Sequence, residues 1–541
     1  MATPKEPCDA ARTTACCGLP SQTHTGAPPW QSGPGKGLGP SAGLPSLPWV
    51  PAGAAAGVAA VAGLSCSLIH AAGEEDRPAP SRPPLVVKPI LTYPQPVRQF
   101  QTSWRNWGGI QSAEDVQAEI ARIQNELKAL QAGADFPLEF LPPAAVRGAT
   151  ELASVADAAK AHALLVYAAG DGGGDLMAEV NLLERWGKDT VFFVRHRSGP
   201  LYYWYEGASA RFHRQHTDFQ ATRTIRCEDT VVDSMDEVLW RLRALAGLHA
   251  TLQTRILAIG WPGPHVWPTE QSLAAVRRTW KLQVHSVSYD ELGRRLQGAR
   301  QDSAMASRAR QRANAYLRLP QTKLQTEFDV VENAFLLEEV FRRLLEEHGC
   351  RAITVAACMS AIMPVAQTTA CLTLSRLNDA GYLAWCEADF SAIPAATLLA
   401  NLTGRPVFFC APGYPHGGTI LLAHCSAPRK MDGQNLLPVR IMTHYESDYG
   451  AAPRVEFPAG QKVTMAVPDF ASKRWLGLSG VVVHNPSLAA CRTQVEIRLP
   501  VSSLTVAQRM PGYRWALAFG THLREMGYAL RRVGVEWDCL G

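Results

Sequence analysis

Between Leu377 and Gly450 the sequence concentrates acids, histidines and cysteines between apolar runs. Cys386, Glu387 and Asp389 follow the run LAW, His424 and Cys425 follow ILLA, and His444, Glu446 and Asp448 alternate within HYESD. Carboxylates and imidazoles at the ends of buried strands suit proton transfer and cation binding, because the strand fixes their positions while the loop end admits a ligand. If the strand continues past Cys386, Glu387 and Asp389 share one face and point at one site. Asp389 also suits the cap of a helix beginning near Ser391, and Glu387 suits a structural partnership with an arginine. His424 stands where a site residue or a hydrogen-bonded core histidine would stand. His444, Glu446 and Asp448 share a face in a strand, either as replacement ligands or as an exposed edge. His416, in PGYPHGG, and Arg514, in GYRW, are substrate-contact candidates that equally fit a solvated loop and a surface cation. Cys386 and Cys425 fit either nucleophiles or inert buried thiols.

The elements that must position these groups read as repeated strand and helix. LVVKPILTY, FPLEFLP, AHALLVYAAG and DTVFFVRH are strand candidates, and Ser112 caps a helix with Val116, Ile120, Ile123, Leu127 and Leu130 on one face. RILAIG, LQVHSVSY and AITVAA continue the pattern, with an amphipathic helix ending at Gly349 before the last of them. Such βα units make parallel sheets covered on both faces. Beyond Gly450 the character changes to short strands with Gly, Pro and Asn turns, as in an antiparallel barrel or sandwich. The expected organisation is an extension and linker over residues 1–84, α/β domains over 85–250 and 251–350, and an α+β domain over 351–541.

At 541 residues the chain needs several domains, and its 47% hydrophobic and 19% charged composition is that of a globular protein. A net charge of +5 without a Lys/Arg block gives nucleic acid no footing as a partner. Thirteen cysteines, an odd number with no CxxC pair, read as buried thiols rather than as a zinc ribbon. Residues 48–72 are uncharged and rich in small apolar side chains, so export through a signal-like segment is expected, with a membrane anchor, a meaningless extension and a cytoplasmic location as alternatives. The loop GDGGGD at Gly170–Asp175 lacks both GxGxxG order and a P-loop lysine, leaving a tight turn or a substrate loop as readings alongside phosphate binding.

RLND, CEADF with its following apolar helix and LTGRPVFF, and HC at His424 and Cys425 together resemble the L-fucose isomerase and L-arabinose isomerase superfamily. RILAIGWPGPHVWP, AGQKVTMA and GYRWALAFGTHLRE add weaker pieces, so the resemblance spans residues 85–541. It implies two Rossmann-like or flavodoxin-like parallel-sheet domains and a C-terminal domain with an antiparallel β-barrel-like part. It implies aldose–ketose isomerisation through an ene-diol, a divalent cation, usually Mn²⁺, a small-molecule sugar as partner, and a homo-oligomer. Glu387 and Asp389 would be catalytic, with Asp389, His424 and His444 at the metal and Glu446, Arg514 and His416 at the sugar. The sequence departs from the family where a glutamate is expected before LND, since no acid lies between Cys358 and Asn378. It departs again near the C-terminus, where Gly512-Tyr513-Arg514-Trp515 stands in place of a GxH-like element. A carbohydrate-binding protein that kept the fold and lost the full metal site is the alternative.

Overall fold

Continuous apolar runs become strands buried on both faces, and the first of them organises a parallel sheet. The structure, a computed structural model, describes residues 79–170, 176–203, 225–260 and 269–541; the signal-like stretch and most of the glycine loop lie outside these. In the first sheet Leu85–Thr92 pairs on one edge with Leu138–Phe140 and then Ala144–Val146, two pieces of one interrupted strand. Its other edge pairs with Ala163–Ala168, followed by Asp189–Val194 and Thr230–Val232, all parallel. The helix Ala113–Gly133 covers this sheet, capped by Ser112 as expected and burying Val116, Ile123, Leu127 and Leu130.

A second parallel sheet has the order Gln283–Val287, Arg255–Ile259, Ala352–Val355, Leu383–Cys386. The division expected at residue 350 therefore runs through one sheet: Ala352–Val355 and Leu383–Cys386 pair with a strand of the preceding segment. The helix Phe328–Glu347 buries a broad apolar face, and Gly349, in the left-handed conformation just past its end, turns the chain into Ala352–Val355.

The C-terminal part is a closed antiparallel barrel of six strands. Around it run Lys462–Val467, Trp515–Phe519, Phe408–Pro412, Thr419–His424, Thr493–Arg498 and Arg474–His484, which returns to Lys462–Val467. Closure removes the free edges that short strands would otherwise expose. The barrel takes its third and fourth strands from before Gly450, and Glu536–Leu540 adds a parallel strand outside it. The wholly buried helix Ile393–Thr403 joins barrel and first domain by packing on Met235–Thr251. A Cβ at Gly247 would lie 2.7 Å from the Cα of Leu402, so glycine permits this close crossing. Among the described residues no single helix is long and apolar enough to cross a membrane.

Candidate functional site

RLND sets the register from which the site is built. Asn378 donates to the carbonyls of Leu374 and Ala384 and accepts the Ala384 N–H, tying the helix Cys371–Asp379 to the strand Leu383–Cys386. Asp379 accepts the N–H groups of Arg429 and Lys430, which fixes the loop after His424 and Cys425. Asn378 and Asp379 thus hold backbone in place, while Arg376 of the same motif binds Glu338 at 2.6 Å.

The strand stops at Cys386, and Glu387 and Ala388 both take left-handed backbone, with φ of 68° and 47°. Two successive non-glycine residues there are costly, and such strain persists where surrounding structure over-determines it. The Ala388 N–H donates to Thr354 Oγ1 at 3.1 Å, which pins the turn to the neighbouring strand. Strand alternation is therefore not what aligns Glu387 with Asp389; the turn does so.

Arg514, which immediately precedes the barrel strand Trp515–Phe519, lies between the two acids. It binds Glu387 Oε2 through Nη2, and its Nε faces Asp389 Oδ2 at 3.7 Å. That second spacing is too long for a hydrogen bond, and neither atom has another hydrogen-bond partner among the described residues. Asp389 is 1% exposed, and its Oδ1 accepts the N–H and hydroxyl of Ser391, so it caps the turn before Ile393–Thr403. Burial pushes its carboxyl above the ordinary range, opposed by Ser391 and Arg514. For Arg514, burial works against the charge, and Glu387 with Asp389 outweighs it, which leaves a fixed cation.

Glu387 alone of the two carboxylates reaches solvent, with 39% of its side chain exposed. Its Oε1 faces His424 Nε2 at 3.7 Å. His424 ends its barrel strand opposite Thr493, buried, with Nδ1 beside Ser426 Oγ at 3.1 Å. The site is therefore an exposed carboxylate with a guanidinium behind it and an imidazole before it.

The other expected residues lie elsewhere. His416 is exposed in the turn preceding Thr419–His424, held by Tyr414 and Thr419. It stands at the opposite end of that strand from His424, roughly 20 Å along an extended chain. HYESD is a turn, because the strand Val439–Met442 has ended, His444 N–H donates to the Tyr449 carbonyl, and Thr443 donates to Asp448. The alternation in that stretch thus carries no shared face. Glu446 is exposed, and buried His444 meets Ser447 and the sulfur of Cys425. Contact with Cys425 holds the His444 imidazole above its ordinary pKa, against the effect of burial.

Behind His444 lies a feature that sequence spacing hid. Cys386, Cys358, Cys371, Cys425 and Cys491 form a row in which each sulfur interacts with the next. Cys358 and Cys425 are pushed well below the ordinary thiol range, because flanking thiols turn toward both, with the Ala370 N–H at Cys358 and the His444 ring at Cys425. Cys371, Cys386 and Cys491 are pushed up by those same neighbours. The row joins a strand end, a turn, a helix start and two barrel segments, so no local motif announces it.

No family model matches this chain, and no curated relative does. The chemistry of the site rests on its own geometry. Among the described residues no group of three or more His, Cys, Asp or Glu side chains converges to hold a metal ion. On the open side of Arg514 the facing donors are Glu387 Oε1 and His424 Nε2.

Proposed function

We propose that the chain is a sugar-isomerase-like protein that interconverts an aldose and a ketose through an ene-diol, on a scaffold of two Rossmann- or flavodoxin-like domains and a barrel. The strand orders support the scaffold reading: counted along the chain, the first sheet runs second, first, third, fourth, fifth, and the second begins in the same way. In such sheets ligands bind outside the carboxyl ends of the strands, beside the reversal of order. Glu387 sits at such an end, one strand from the reversal.

One observation carries the reaction: a partly exposed carboxylate held between a buried guanidinium and an imidazole. Glu387 moves the proton between the two carbons of the sugar, and His424 Nε2 exchanges a proton with a sugar oxygen. Arg514 supplies positive charge near the oxygen where negative charge develops, and Asp389 orients Arg514. The divalent cation implied by the resemblance, Mn²⁺, would have to take the same two atoms, Glu387 Oε1 and His424 Nε2, so metal binding and the proton transfers described are alternatives at this site. The cation would supply Lewis-acid polarisation of the carbonyl. Two protein donors fall short of a metal site among the described residues, and a homo-oligomer is part of the same reading.

Carbohydrate binding without turnover is the second reading, favoured by the one fact that Arg514 already neutralises the acids. The test is a screen of aldoses with the purified full chain, with and without Mn²⁺, reading ketose formation and deuterium uptake from solvent at the sugar carbon. Turnover with deuterium uptake, lost in Glu387→Gln, is the expected result. Saturable sugar binding with no exchange selects the second reading, and neither binding nor exchange removes both.

A further inference from the structure

One end of the thiol row, Cys425 and Cys491, lies just past the ends of two paired barrel strands. His424 faces Thr493 across antiparallel barrel strands. Continuing that register sets Cys425 opposite Arg492, whose N–H donates to the Cys425 sulfur at 3.5 Å, and puts Cys491 one residue farther along. Cys425 and Cys491 are therefore diagonal rather than facing neighbours, and both lie beyond the last paired residues of their strands. Cys371, Cys425 and Ala452 form a small buried cluster, and half-buried Cys491 packs against it, giving the pair an opening to solvent. Cys358 is the other half-buried member, and its neighbours Cys371 and Cys386, on a helix start and a strand end, are both buried.

We infer that Cys425 and Cys491 are a modification site that forms a reversible disulfide on reaction with hydrogen peroxide. The Cys425 sulfur attacks a peroxide oxygen, the O–O bond breaks, and the leaving oxygen departs as water, which leaves a sulfenic acid. The Cys491 sulfur then attacks Cys425, forming the S–S bond and expelling the sulfenic oxygen as a second water. Two thiols are oxidised by two electrons in all, and one peroxide is reduced. The bond would lock the segment following His424, the residue that faces Glu387. The inference stands on this contact geometry and not on the sugar chemistry.

The full chain, treated with hydrogen peroxide, alkylated and digested without reductant, tests it by mass spectrometry. A peptide linking Cys425 to Cys491 is expected, reversed by dithiothreitol, absent from Cys491→Ser and retained in Cys539→Ser, an exposed cysteine outside the row. If Cys425 and Cys491 of the treated wild type are both alkylated, or are joined to other cysteines, the assignment is overturned. The wild-type map decides this even if a variant fails to fold.

Discussion

Two clusters of acid and guanidinium, Glu338 with its arginines and Glu387 with Arg514, share their chemistry and differ in completeness. Glu338 is 0% exposed and is bound by Arg312 at 2.8 Å, Arg342 at 2.8 Å and Arg376 at 2.6 Å. The three guanidiniums also lie over the rings of Phe335, Tyr316 and Tyr382. It sits in mid-helix with ordinary backbone. Glu387 has one guanidinium, a part of its surface in water, and left-handed backbone. The Asp389–Arg514 contact beside it is left open at 3.7 Å. A saturated cluster can only hold structure together, whereas an open one retains valences for a substrate.

Removing each acid should separate these roles. Glu338→Gln leaves three buried or partly buried cations short of a counter-charge, and breaking a buried ion pair from one side costs about 3–5 kcal/mol. The urea midpoint of the α/β part should fall accordingly. Glu387→Gln should cost no more than about 1 kcal/mol, since its carboxylate is partly hydrated. Its effect belongs in turnover, a loss of about 10²–10⁴-fold if the proton transfer proposed here is right. Equal stability losses in the two variants would erase the distinction.

Acid titration should give the two clusters opposite signs. Burial pushes Glu338 up, but Arg376, Arg312 and Arg342 outweigh it and hold its carboxyl at about 2, below its ordinary 4.5. Its contribution is therefore complete above pH 4.5 and is lost as pH falls toward 2. Asp389 is shifted upward from 3.8 by burial, so its contribution is complete below 3.8 and is lost as pH rises through its folded value. The rise of stability with pH between 2 and 6 should become shallower in Glu338→Gln and steeper in Asp389→Asn. A slope unchanged by Asp389→Asn would place that carboxyl in a more solvated setting.

The same contrast explains what could be read in advance. Strands such as Ala163–Ala168 and Ala352–Val355 are buried throughout, so an uninterrupted apolar run sufficed, and Ser112 capped its helix through local chemistry. The parallel sheets were legible for that reason, and the barrel only as one of two antiparallel readings, placed beyond Gly450, drawn from short strands with Gly, Pro and Asn turns. Glu387 and Asp389 were legible as residues, but their convergence was assigned to strand alternation and comes from a left-handed turn. Arg514 fitted a surface cation as well as a site residue because its partner lies 127 residues away and nothing local marks it. HYESD misled because period-two alternation costs nothing in a turn closed by Thr443 and Asp448. The thiol row was invisible because its members sit on five separate segments that only the fold brings together.

The smallest expected effect bears most directly on why one cluster stays open. Ala388 holds φ at 47° while buried, and a side chain there costs on the order of 1–2 kcal/mol. Glycine would relieve that cost and return roughly 0.5–1 kcal/mol through its freer unfolded chain. Ala388→Gly should therefore stabilise the fold by about 0.5–1 kcal/mol, measured as a rise in the urea midpoint, while the N–H bond to Thr354 remains available. Because no charged group changes, any accompanying fall in turnover reports how firmly the strained turn aims Glu387 between Arg514 and His424. A gain in stability with unaltered turnover would mean that the guanidinium alone aims the carboxylate, and that the turn only brings the chain into the helix Ile393–Thr403.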